Sequence, residues 1–434
     1  MEKNDFGFTR LCLALLALFF MAILTWDWDR NTFLSTYASI PPAPATSTAS
    51  MEPEMKTNSE TGQGDQQSTG NVDNSQTLNS TQHLKNETKV CNYAKGRWVA
   101  ENRVPFYNHG CEYINTDWNC RAMNRTDFSY EKYRWEPLDC QMPEFDPFDF
   151  LKRMQNKTVA FIGDSLSKQQ FESLMCMLTG GKVKPEVQDI SEKYDGLLVI
   201  RDGAIINSGW AYRFSTTNTT ILHAKSLRLS DRNPIITNND SATVYAMHLD
   251  SQPPFIRKYI DQLDVLVINT GHHWSDFKMN QSGEVLYLNG KPIKNKFLKN
   301  ITHARNFKVN YIIKWLDSKM GSRPNMQVFF RTNSPVHFFK GEWNTGGRCD
   351  NTVPMTRGSK VSWEESMDKA VEDSVKGTRV KILDITALSE LRDEAHISRY
   401  GRTHNDCSHW CLPGVPDTWN ELLNALLLPQ LDHH

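Results

Sequence analysis

Three side chains in this sequence are of the types that acyl transfer needs. They are Ser165, in Val159-Ala160-Phe161-Ile162-Gly163-Asp164-Ser165, and Asp406 and His409, in Asp406-Cys407-Ser408-His409-Trp410-Cys411-Leu412-Pro413-Gly414. A serine hydroxyl is a poor nucleophile until an imidazole takes its proton, and the imidazole needs a carboxylate to hold its tautomer and stabilise its charged form. Asp406 and His409 are three residues apart, so a single turn can supply both. The competing reading of Gly-Asp-Ser is structural, because Asp and Ser are preferred helix N-caps.

The elements around the serine must present it. The run before Gly163 reads as a buried strand, Gly163-Asp164 as a tight turn, and Leu166-Ser167-Lys168-Gln169-Gln170-Phe171-Glu172 as the start of an amphipathic helix. That puts Ser165 at the carboxyl end of a strand, where open α/β sheets carry their chemistry. It also puts it at a helix N-terminus, whose free N–H groups stabilise an oxyanion. Gly163 and Asp164 are therefore candidates for oxyanion or substrate contacts. An early Gly-Asp-Ser with a late Asp-x-x-His resembles the chain order of the SGNH/GDSL hydrolase superfamily.

Between the two motifs, strand and helix signals alternate. Residues 197–200, 212–214, 263–268, 327–330 and 380–383 are strand-like, 307–316 has helical spacing, Ser362-Trp363-Glu364-Glu365 reads as a capping box, and Thr418-Trp419-Asn420-Glu421 caps a last helix. This alternation predicts an α/β fold, SGNH-hydrolase-like, with a mostly parallel sheet flanked by helices. Asn269 opens the loop after 263–268 and is a candidate oxyanion donor beside the Ser165 N–H, or simply turns the chain. Trp210, Trp274, Trp343 and Trp410 serve either as core or as stacking faces for sugar rings, with His272, His273 or Arg331 supplying hydrogen bonds.

With 434 residues, 39% hydrophobic and 23% charged, the chain can bury a large core. A formal net charge of -1 and a pI near 6.9 argue against nucleic acid as a partner and suit a neutral polymer. Residues 11–26 are apolar apart from Thr25, with Lys3 and Arg10 before them and Asp27, Asp29 and Arg30 after. We read residues 1–30 as a cytosolic tail and an uncleaved signal-anchor transmembrane helix; the rival is a cleavable signal peptide, with Tyr37-Ala38-Ser39 a weak site. Residues 31–89, rich in Ser, Thr, Asn, Gln, Pro and Gly, predict a disordered luminal stem, because such a segment cannot recover its ordering entropy by burial.

Beyond Cys12, the cysteines Cys91, Cys111, Cys120, Cys140, Cys176, Cys349, Cys407 and Cys411 form an even set that predicts disulfides in an oxidising lumen. Asn-x-Ser/Thr acceptors at Asn79, Asn86, Asn124, Asn156, Asn218, Asn239, Asn280 and Asn300 point the same way. His404, Cys407, His409 and Cys411 could instead hold zinc, but their spacing fits no common module, and the expected metal is none.

Residues 90–145 form a small cysteine- and aromatic-rich module, including Gly96-Arg97-Trp98-Val99, Cys111-Glu112-Tyr113-Ile114 and Tyr133-Arg134-Trp135-Glu136-Pro137-Leu138-Asp139-Cys140. Bridges and packing against a larger domain, 146–434, should hold it. This module, followed by the Gly-Asp-Ser and Asp-Cys-Ser-His motifs, resembles the plant trichome birefringence-like family from about Cys91 to the C-terminus. Gly341-Glu342-Trp343-Asn344-Thr345-Gly346-Gly347-Arg348-Cys349 agrees, whereas Asn124-Arg125-Thr126-Asp127 departs from the family's usual Gly-Arg-Pro-Asp.

The resemblance implies a single-pass type II Golgi membrane protein whose luminal domain O-acetylates hydroxyls of cell-wall polysaccharide, xylan favoured, through an acetyl-serine. It implies an acetyl donor, acetyl-CoA or a derived donor, and no bound cofactor. It further implies the pairs Cys91 with Cys140, Cys111 with Cys176, Cys120 with Cys411, and Cys349 with Cys407. Two other functions fit the same residues: an acetyl esterase with the same triad, and a non-catalytic wall-polysaccharide binder.

Overall fold

The computed structural model describes residues 91–182, 184–201, 204–235, 243–354, 360–361, 366–402 and 405–428. Residues 1–30 and 31–89, the acceptors Asn79, Asn86 and Asn239, His404, and the capping box at Ser362 lie outside them. Among the described residues, no helix is long and apolar enough to cross a membrane.

A seven-stranded sheet organises the larger part of the chain, in the order Lys381–Leu383, Gln327–Arg331, Val265–Ile268, Thr158–Gly163, Thr219–Lys225, Gly209–Phe214, Val187–Asp189. The first five pair in parallel and the last two add antiparallel. The two-residue period of a strand sends Val159 and Phe161 to one face and Ala160 and Ile162 to the other. Helices Pro147–Arg153, Ser165–Thr179 and Val415–Leu427 cover the first face through Phe150, Leu174, Trp419 and Leu422. Pro254–Tyr259, Ile301–Met320 and Lys369–Val375 cover the second through Ile256, Ile312, Leu316 and Val371.

Burial on both faces explains which strands the sequence reveals. Val265–Ile268 is buried at every position and reads as an unbroken apolar run. Thr219–Lys225 is buried except at its last residue, yet Thr219, Thr220 and His223 interrupt its apolar pattern, so it escapes detection. The last helix also begins earlier than Thr418 suggests. Val415–Leu427 starts after Gly414, with Pro416 in its first turn, and Asp417 accepts from the Gly414 N–H at 2.9 Å. Proline there removes an N–H that has no helical partner, so it opens the helix without cost.

In the N-terminal module, Gly96–Ala100 pairs antiparallel with Tyr133–Pro137 and with Lys360–Val361. Asn124, where the resembling family usually has Gly, takes φ 66°, a left-handed conformation that Asn tolerates better than most residues. Arg125 beyond it is buried and donates to His396 O at 2.9 Å and Glu394 O at 2.7 Å, so the turn anchors the module to the C-terminal segment. The disulfides are Cys91–Cys140, Cys111–Cys176, Cys120–Cys411 and Cys349–Cys407, the same partners the resemblance implies.

Candidate active site

Thr158–Gly163 ends against the loop that follows Val265–Ile268. A Cβ on Gly163 would lie 2.0 Å from Asn269 Oδ1, so only glycine admits that loop. Asp164 is the N-cap of Ser165–Thr179 and accepts from the Leu166 N–H at 3.0 Å. The two readings of Gly-Asp-Ser are thus divided between neighbours: Asp164 caps the helix, and Ser165 keeps its hydroxyl for another partner.

That partner is His409, whose Nε2 lies 2.6 Å from Ser165 Oγ. Its Nδ1 lies 2.8 Å from Asp406 Oδ2. An ionised carboxylate only accepts, so Nδ1 carries the proton and Nε2 turns its lone pair toward the Ser165 O–H.

Asp406 and His409 belong to the strand Asp406–Trp410, not to a free turn. Residues three apart on a regular strand face opposite sides. Here the pairing with His396–Ser398 slips: His396 faces Trp410 while Ser398 faces Asp406, so the catalytic strand bulges between them. Asp406 Oδ1 holds the bulge by accepting from the Ser408 and His409 N–H groups, each at 3.0 Å. Gln169, buried on the serine helix, ties the strand to that helix: its Nε2 donates to Trp410 O at 2.7 Å and its Oε1 accepts from the Trp410 N–H at 3.2 Å. Sequence reasoning missed Gln169; its place one turn beyond Ser165 was the available signal.

Burial raises the proton affinity of the Asp406 carboxyl, but the hydrogen bond and charge of His409 outweigh it and hold the group well below the usual carboxylate range. Burial likewise disfavours the His409 imidazolium, yet the hydrogen bond and charge of Asp406 prevail and raise its proton affinity above the ordinary histidine value. The side chains of His409 and Asp406 keep 24% and 22% of their surface exposed, which leaves the pair open to a reactant. The Trp118 ring, from the N-terminal module, stacks over His409 with centroids 5.6 Å apart and planes at 25°.

The other candidates occupy different positions. Asn269 is 2% exposed and donates its Nδ2 to Asp164 Oδ1 at 2.9 Å, so this N–H is committed to the cap. His272 lies beside Asp164; burial lowers its proton affinity against the pull of that carboxylate, and its Nε2 is buried without a protein partner among the described residues. Arg331 is 1% exposed, too deep for a sugar, with its guanidinium 4.8 Å from the Trp419 ring centroid. Burial lowers it to about 10, opposed by the charge of Asp164.

Trp410 and Trp274 are core residues, their Nε1 groups donating to Ser334 Oγ at 2.9 Å and Thr270 Oγ1 at 2.7 Å. Trp343 is 45% exposed and faces Phe277 at 5.3 Å. Trp210 lines a groove of about 310 Å³ with Tyr113, Thr116, Lys168, Glu172 and Tyr212. Lys168 and Glu172 follow Ser165 at helical spacing, so this groove borders the serine's face of the helix. The sulfurs of Cys407 and Cys411 are bound in disulfides and offer no thiolate to zinc.

Residues 142–426 match a family model described as PC-Esterase, a GDSL/SGNH-like acyl-esterase family found in Pmr5 and Cas1p, and residues 89–141 match the PMR5 N-terminal domain. Protein trichome birefringence-like 14 of Arabidopsis thaliana is 51% identical over 356 residues, covering 78% of this chain and 86% of its own. Trichome birefringence-like 15 of the same plant is 49% identical over 356 residues, covering 79% and 71%. Trichome birefringence-like 9 is 34% identical over 372 residues, covering 81% and 87%.

Proposed function

This chain belongs to the trichome birefringence-like family, and on that premise we propose that it is a polysaccharide O-acetyltransferase working through an acetyl group on Ser165. One observation carries the reading: the unbroken hydrogen-bonded series from Asp406 through His409 to Ser165. As Ser165 Oγ bonds to the acetyl carbonyl carbon, His409 Nε2 takes its proton. The oxyanion gathers beside the Ser165 N–H, at the start of Ser165–Thr179, where a helix has no acceptor of its own for its first amides. The imidazolium, held by Asp406, returns the proton to the departing donor group. An acceptor hydroxyl then gives its proton to His409 and attacks the acetyl-serine, and collapse restores the Ser165 hydroxyl.

In this reading the acceptor is plant cell-wall polysaccharide, xylan first, and the donor is acetyl-CoA or a derived donor. The aromatic faces of Trp210 and Tyr113 suit the apolar faces of sugar rings along the groove beside the serine helix. The protein works on the luminal side of the Golgi membrane, anchored by residues 11–26. The acyl-esterase description of the matching family model favours a second reading, in which water replaces the sugar and acetate is released.

Incubation of the purified protein with a labelled acetyl donor and xylan, mannan, xyloglucan and pectin oligosaccharides, followed by product masses, separates the two. Labelled oligosaccharide supports the transferase, labelled free acetate alone supports the esterase, and neither product overturns both. Ser165→Ala should lose transfer while retaining glycan binding.

A further inference from the structure

The helix that presents Ser165 carries Glu172 two turns further on, on the same face. Glu172 is 4% exposed, and its Oε2 accepts from Trp118 Nε1–H at 2.5 Å and from the Asn115 N–H at 3.0 Å. Trp118 is the residue whose ring covers His409, and its carbonyl accepts from the Leu412 N–H at 3.0 Å. A buried carboxylate, an indole N–H and the imidazole therefore form a second series that reaches His409 from its face, while Asp406 reaches it from its edge. An indole whose N–H donates to a carboxylate is richer in π electrons, and an electron-rich face favours a cation stacked on it.

We propose that Glu172 is a positioning residue for acyl transfer, acting through Trp118 to hold the His409 ring and to stabilise the imidazolium that forms as Ser165 loses its proton. This rests on the acyl-transfer reading of the site. It also gives the N-terminal module a place at the reaction centre: the module supplies the ring, and the serine helix supplies the charge behind it.

The charges around this series are few. Lys168 Nζ lies 3.4 Å from Glu172 Oε1, 5.2 Å from the Trp118 ring centroid and 4.2 Å from the Trp210 ring centroid. Tyr212 faces Glu172 from the sheet, and Glu112 borders the same groove. His409 feels Asp406, Asp164 and Asp117, the last paired with Arg402 at 2.9 Å, and it faces the buried imidazoles of His272 and His396, whose proton affinity burial lowers. Burial pushes Glu172 up to about 7, against the pull of Lys168 and the Asn115 and Trp118 hydrogen bonds. Its charge is thus lost near neutrality, and the two ionisations overlap: protonating Glu172 makes His409 harder to protonate, which broadens the acid limb of activity.

The test uses full-length protein with p-nitrophenyl acetate across about pH 5 to 9, with Ser165→Ala as the control. Glu172→Gln keeps an acceptor for the indole N–H but removes the charge. Its KM should stay within about twofold and its plateau kcat fall about threefold, while the acid limb moves down by roughly half to one unit and sharpens to a single ionisation. Trp118→Phe should move the limb the same way with Glu172 intact. An NMR titration of isotope-labelled histidines reads the His409 midpoint without reference to turnover and should show the same shift. A Glu172→Gln protein whose acid limb and His409 midpoint match the wild type overturns the inference, whatever its melting temperature; Glu172 then merely ties the module to the helix. Wild-type protein with no Ser165-dependent turnover overturns the acyl-transfer reading instead, and the histidine titration still decides whether Glu172 acts on the imidazole.

Discussion

At the scale of single residues, the proposed chemistry depends on which nitrogen of His409 carries the proton. Asp406 accepts from Nδ1–H, and that leaves Nε2 free for the Ser165 hydroxyl at 2.6 Å. Asp406→Asn presents an N–H at this position, reverses the tautomer and should lower kcat by about 10³ to 10⁴-fold with the fold retained, as circular dichroism and turnover together can check. The pH dependence has a definite sign. Because Asp406 raises the proton affinity of His409, wild-type activity should fall as pH drops through a midpoint above the ordinary histidine value, and rise to a plateau above it. A midpoint below that value would mean that Asp406 does not support the imidazole. The residue types were legible in the sequence; the role of Asn269 was not, since Asn suits an oxyanion loop and an Asp164 partner equally well.

At the scale of elements, two strands and one helix meet at the serine, and their approach is close. Gly163→Ala drives a methyl to within 2.0 Å of Asn269 Oδ1, and the buried amide has little room to yield because it also donates to Asp164. The substitution should cost at least about 2 kcal/mol, visible as a lower denaturant midpoint, and should depress turnover as well by displacing the cap. A variant as stable and active as the parent would show that the loop moves freely. Apolar runs revealed the central strands because both faces of the sheet are covered. The bulge in Asp406–Trp410 was invisible, because a strand slips register through its partner and not through its own composition.

At the scale of the whole molecule, the N-terminal module is part of the site rather than an appendage. Cys120–Cys411 joins it, across 291 residues of sequence, to the residue that directly follows the strand carrying His409. Replacing both cysteines by serine should destabilise the protein by up to roughly 5 kcal/mol in the chain-entropy view. Turnover should fail at lower denaturant than the sheet unfolds, because Trp118 and His409 lose their common tether first. Coincident loss of activity and structure would contradict this order. A second tie is Asp417, whose Oδ1 accepts from Tyr107 OH at 2.5 Å and Ser173 Oγ at 2.6 Å. Burial pushes Asp417 from 3.8 to about 7. Between those values the folded protein holds a proton that the unfolded chain has released, so this group's contribution is full at acid pH and declines as pH rises toward 7. Asn lacks that dependence. The stability deficit of Asp417→Asn relative to wild type should therefore shrink between about pH 4 and pH 7, by on the order of 1–3 kcal/mol in urea unfolding. A deficit independent of pH would remove the proton from Asp417.

Side-chain type, spacing and period are properties of neighbouring residues, and these the sequence determined alone: a serine after an apolar strand, an Asp-x-x-His near the end, an even set of cysteines, an α/β alternation. Which nitrogen faces which oxygen, which amide is already committed, and which module lends a ring to His409 belong to segments hundreds of residues apart. Those contacts follow from the net of many small free energies over the whole fold, so only the folded chain decided that Asp164 caps while Ser165 meets His409.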